Sequence, residues 1–180
     1  GSMFAALVLP KLLDQVPDRP VMLTGAIILT SALLLLAALI LGFGLSWPLL
    51  LAAWMAAGSG YSAVLTPSGR LLKRSAHPAD RPAIFAAQFA LSHACWLVTY
   101  PLAGVLMTMA GAPVALLSLA LLSAFGIAVA VCLWPADDPE VISHRHDDLP
   151  ADHSHLVEHG GGRVHAHAAV IDALHRKWPG

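Results

Sequence analysis

Residues 82–136 read PAIFAAQFALSHACWLVTYPLAGVLMTMAGAPVALLSLALLSAFGIAVAVCLWPA, fifty-five positions without one Asp, Glu, Lys or Arg. Residues 20–69 form a second uncharged run, of fifty positions. A helix on a soluble core still turns one face to water, so runs of this length cannot be hidden in a globular domain. The chain is therefore predicted to be an all-α integral membrane protein. One spanning helix needs roughly 20 apolar residues, so each run holds two helices and a turn. Turn residues stand where that requires them, at Gly42-Phe43-Gly44-Leu45-Ser46-Trp47-Pro48 and at Ala110-Gly111-Ala112-Pro113. Pro48 suits the first turn of a helix. The pattern predicts four transmembrane helices in two hairpins, at about 20–42, 47–66, 82–109 and 113–134.

Working outward, all 21 formally charged residues fall within 1–19, 70–81 and 137–180. Apolar residues make up 57% and charged residues 12%, against about 45–50% and about 25% in an ordinary globular chain. A net charge of −1 gives no basic footprint, so nucleic acid is not expected as a partner. Cys95 and Cys132 lie inside apolar runs and indicate neither a disulfide framework nor a thiolate metal site. The opening, Phe4 to Leu9, lacks the positive n-region of a signal peptide. It reads as the end of a preceding helix cut from something longer, with Gly1-Ser2-Met3 fitting either a cloning scar or native helix.

Orientation follows from the loops. Lys11 and Arg19 lie in one, Arg70, Lys73, Arg74 and Arg81 in the other, and the two short turns have no basic residue. The positive-inside rule puts the charged loops, and hence the tail from Asp137, on the cytoplasmic side of a plasma (inner) membrane.

Within the spans, polar residues are few. Gln88, Ser92 and His93 cluster on the third helix, and Tyr61 lies on the second. An ionisable side chain near the bilayer centre is costly and usually faces a cavity or a partner, which makes these four the candidate substrate path and His93 the sharpest of them. A neutral histidine bonded to a neighbouring helix is the alternative, and His93 is expected beside the second or fourth helix.

Taken together, three passages resemble the C-terminal third of a major facilitator superfamily transporter over about residues 4–136. Residues 10–19, PKLLDQVPDR, have the length and placement of the family's cytoplasmic loop motif, G-x-x-x-D-R/K-x-G-R/K-R/K. Asp14 and Arg19 match it, while Pro10, Pro17, Gln15 and Asp18 depart from it. Gly58-Ser59-Gly60-Tyr61 through Thr66-Pro67 into Gly69 to Arg74 is similar to the family's tenth helix and basic loop. Ala87 to His93 and Tyr100 to Gly104 resemble the eleventh. The resemblance implies the ninth to twelfth helices of a secondary transporter, of efflux type, with lipid, a small-molecule or ion substrate and the missing N-terminal helices as partners. An enzyme is not expected. The alternative is a stand-alone four-helix membrane protein that binds metal or a partner.

Residues 137–180 are a different material, with eight of the ten histidines and few large apolar residues. A largely disordered cytoplasmic tail is expected. A short amphipathic helix at about 164–178 is the exception, suggested by Val164, His167, Ile171, Leu174 and Trp178 at three- and four-residue steps. The pairs His144/His146, His153/His155 and His165/His167, with carboxylates nearby, offer donors suited to Zn²⁺, Ni²⁺ or Co²⁺. No resident cofactor is otherwise required. A pH-responsive tail is the competing reading.

Overall fold

The computed structural model describes residues 1–136, 141–150, 152–158, 160, 162–168 and 174. Four helices come first: α1 (Ser2–Leu13), α2 (Asp18–Phe43), α3 (Trp47–Ser75) and α4 (Arg81–Leu133). The tail then supplies β1 (Val141–Arg145), α5 (Ser154–Glu158) and β2 (Val164–Ala168). Helices α2, α3 and α4 are each long and apolar enough to cross a membrane.

At 53 residues, α4 would reach roughly 80 Å if straight, more than twice a hydrocarbon core. It is not straight. Gly111, at φ 84° and ψ 172°, breaks it into two arms, 81–110 and 112–133. That backbone lies in the region where a side chain is strained and glycine is not. The second arm runs antiparallel to α2. Arg19 Nε donates to the Trp134 carbonyl at 3.2 Å, the Thr30 and Ser123 hydroxyls lie 2.7 Å apart, and Leu116 packs with Leu36 and Ala37. No residue of the first arm is buried.

The tightest seam joins α2 to α3. A Cβ built on Gly60 would sit 2.5 Å from the Gly25 carbonyl oxygen and 2.8 Å from the Leu29 nitrogen. Without an oily driving force between helices in lipid, such backbone proximity is what holds them together. Ala5, Leu9 and Leu13 of α1 form a small core with Val21, flanked by Val16 and Ala63.

Two expectations need correction. The sequence pattern ends the second span at 66, before Pro67, yet α3 continues to Ser75 with Pro67 inside it and fully buried. A proline costs one helical hydrogen bond, and tertiary contacts of the following turn, described below, outweigh that loss. The described start of the expected amphipathic helix at 164–178 is also not helical: residues 164–168 are strand β2, paired antiparallel to β1 in the register Val141↔Ala168, His144↔His165 and Arg145↔Val164. Val164-His165-Ala166-His167-Ala168 alternates with period two, which a β-branched partner strand selects over the helical reading. Of the remainder of that stretch, only Leu174 is among the described residues. Among the described residues of the tail, Leu156 of α5 has no exposed surface.

Candidate functional site

Three groups of polar side chains stand out. The first lies at the charged end of the bundle. Asp18 opens α2, where a carboxylate suits the positive end of the helix dipole, and is 3% exposed. Arg70, one turn past Pro67 on α3, reaches it: its NH2 lies 2.6 Å from Oδ1 and its Nε donates to the same oxygen at 2.9 Å. The Arg70 NH1 donates to the Leu13 carbonyl at 2.9 Å. One guanidinium therefore ties the end of α1, the start of α2 and the end of α3. Asp14, the motif aspartate of the sequence, is exposed at the end of α1. Arg19 instead holds the root of the tail through Trp134.

The second group is on the first arm of α4. His93 Nδ1 lies 2.8 Å from the Phe89 carbonyl. A carbonyl only accepts, so Nδ1 carries the proton and Nε2 is left as an acceptor. The ring sits 3.9 Å from that of Phe89 and 4.8 Å from that of Trp96, centroid to centroid. It is exposed, and its described contacts are with Phe89 and Trp96 of its own arm rather than with α3 or the second arm of α4, the expected neighbours. Gln88 Nε2 donates to Ser92 Oγ at 3.4 Å. Thr99 and Thr108 bond back to the carbonyls of Cys95 and Gly104. Tyr61 is on α3, half-exposed, with no described contact to these residues.

The third group is in the tail. Residues two apart on a strand share a face, so His165 and His167 on β2 present both rings to one side, as do His144 and His146 at the end of β1. Cross-strand pairing then sets His144 opposite His165. The turn of α5 adds His155, and ligand atoms of His144, His146, His155 and His165 all lie within 4.8 Å of one another. His144 Nε2 is 3.0 Å from His146 Nε2; His165 Nε2 is 2.9 Å from His155 Nε2. The ring of His167 lies 4.6 Å from that of His144. His153 is used differently: its Nδ1 accepts the His155 backbone N–H at 3.3 Å, which caps the start of α5.

A family model described as Major Facilitator Superfamily matches residues 1–171. The chain belongs to the major facilitator superfamily. No curated protein and no solved structure matches it. The match to the superfamily extends past the residues that carry the resemblance in sequence, to within nine of the C-terminus. Members of this superfamily are membrane transporters and generally not enzymes, which gives this chain membrane transport as its setting and lipid and a transported substrate as its surroundings.

Within this superfamily member, the structure brings together four of the six tail histidines singled out in the sequence, keeps His167 beside them and gives His153 a capping role. It does not gather Tyr61 with Gln88, Ser92 and His93. Sequence reasoning missed the pairing of Asp18 with Arg70. A usable signal was there: Asp18 stands beside a proline at a helix start, and Arg70 is the first charge after fifty uncharged positions.

Proposed function

We propose that this chain is the C-terminal part of an efflux-type secondary transporter whose tail responds to metal. The observation that carries the transport half is the first arm of α4, which is unburied along its length yet bears Gln88, Ser92 and His93. A polar face at mid-membrane is not stable against lipid. It is best satisfied against the other helices of the transporter, lining a path for a small molecule or ion. His93, holding its Nδ1 proton on Phe89, offers an acceptor nitrogen toward that path. In a complete transporter, His93→Ala is expected to lower transport at least about tenfold, the effect of losing about one interaction of 1.4 kcal/mol. Membrane insertion should be unchanged, as measured by surface labelling. Normal transport by the variant would remove His93 from the path.

The metal half is supported by the four gathered imidazoles. A pH response of the same tail is the competing account, and a stand-alone metal-binding membrane protein is the second reading of the whole chain.

Sidedness is proposed from the basic residues: charged loops and tail cytoplasmic, hairpin turns outside, in a plasma (inner) membrane. With Cys95 and Cys132 replaced by serine, an impermeant thiol reagent added outside intact cells should label cysteines placed at Ser46 or Ala112. It should miss those at Ser75 or Ser154. Labelling at Ser75 would invert the topology.

A further inference from the structure

A two-stranded ribbon is marginal in water at best. This one spans five residues a strand, adds a five-residue helix and, among the described residues, buries one large apolar side chain, Leu156. That is too little apolar surface to hold three elements together, so the order of the tail calls for another source. The four imidazoles are placed to supply it, because they come one from β1, one from the residue after it, one from α5 and one from β2.

Their ring chemistry is consistent with ligation. His144 Nδ1 lies 3.3 Å from the Ile142 carbonyl and His165 Nδ1 lies 3.2 Å from the Gly162 carbonyl. Since carbonyls only accept, both rings carry their proton on Nδ1 and turn the Nε2 lone pair inward. Backbone carbonyls commonly fix metal-binding histidines in this way. Zinc held by nitrogens at about 2.0–2.1 Å has donor atoms roughly 3.3–3.4 Å apart in a tetrahedron. The closest nitrogen pairs, at 2.9 and 3.0 Å, and the overall 4.8 Å limit bracket that spacing. Asp147, which follows His146 in the chain, is engaged elsewhere, its Oδ1 accepting from Arg145 Nε at 2.7 Å.

We infer that His144, His146, His155 and His165 form one four-nitrogen site for a divalent transition-metal ion of the zinc class, and that its occupation holds β1, α5 and β2 together. The inference rests on the metal-responsive reading above and gives that reading its ligands. An all-imidazole set is too soft for Mg²⁺ or Ca²⁺, which take oxygen, and a tetrahedral cage favours Zn²⁺ or Co²⁺ over the tetragonal preference of Cu²⁺. In this reading, metal binding is folding of the tail.

The test uses the full chain in detergent, titrated with Zn²⁺ against a chromophoric chelator and with Co²⁺ followed by visible absorption. One equivalent should bind, and Co²⁺ should give the intense bands of a tetrahedral centre. His144→Ala and His165→Ala should each weaken Zn²⁺ binding by roughly 10–100-fold or more, while His153→Ala, which removes only the cap of α5, should weaken it less than His144→Ala does, and His77→Ala should change it less than about twofold. His144→Cys guards against loss of folding as the cause, because it should retain Co²⁺ and add a thiolate-to-cobalt charge-transfer band. Equal losses from His144→Ala and His153→Ala, with several weak equivalents and octahedral Co²⁺, would overturn the four-histidine site and leave a diffuse metal-responsive tail. Failure of the unaltered chain to bind Zn²⁺ or Co²⁺ would overturn both.

Discussion

Arg70→Ala is expected to destabilise the bundle by about 3 kcal/mol, the low end of what breaking a buried ion pair costs. The low end applies because the Arg70 side chain is 44% exposed, although the side chain of its partner Asp18 is only 2% exposed. Removing the guanidinium strands a carboxylate with almost no access to water, and it also releases the Leu13 carbonyl. The penalty belongs to the orphaned charge. Asp18→Asn combined with Arg70→Ala should therefore be less destabilised than Arg70→Ala alone. Denaturation of the four chains in one detergent, arranged as a double-mutant cycle, measures the coupling. Purely additive losses would show that the two residues act separately.

Gly60→Ala should be nearly as damaging, at about 1–3 kcal/mol for an overpacked contact. The added methyl meets backbone, the Gly25 oxygen and the Leu29 nitrogen, and backbone cannot rotate away as a side chain would. Gly25→Ala runs into the same seam from the other side, against the Gly60 oxygen at 2.7 Å. Gly104→Ala is the control: a Cβ there has nothing within 4 Å, and alanine favours a helix over glycine. Its stability should be unchanged or slightly raised. Similar losses at Gly60 and Gly104 would show that helix propensity, rather than the approach of α2 to α3, sets the effect.

These positions show what the sequence could and could not reveal. Absence of charge over fifty positions is a property of composition, so the membrane-spanning runs and the break at Gly111 were readable without any contact. The continuation of α3 through Pro67 was not, because the stop signal is local whereas the bonds that outweigh it come from Asp18 and Leu13, more than fifty residues away. Asp14 drew notice for matching a motif, and Asp18 did the work from a position where that motif is basic. The direction His93 faces depends on neighbours that no periodicity encodes. In the tail the histidine pairs were plain, but Val164 to Ala168 was counted at a helical step when its alternation fits a strand. The strand register then decided which imidazoles meet.

The pairing of Thr30 with Ser123 spans 93 residues, and that distance has a consequence for biogenesis. At about 5–20 residues per second, Thr30 is made roughly 5–19 seconds before its partner exists. A bare hydroxyl left in hydrocarbon for that long would be a liability. Thr30 avoids it by donating to the Ala26 carbonyl of its own helix at 2.8 Å, so α2 can enter the bilayer with its polar atom already satisfied. When Ser123 arrives, its hydroxyl can donate to the Thr30 oxygen without taking the first bond apart. The latch between α2 and the second arm of α4 is thus assembled in two stages, the first of them within a single helical turn.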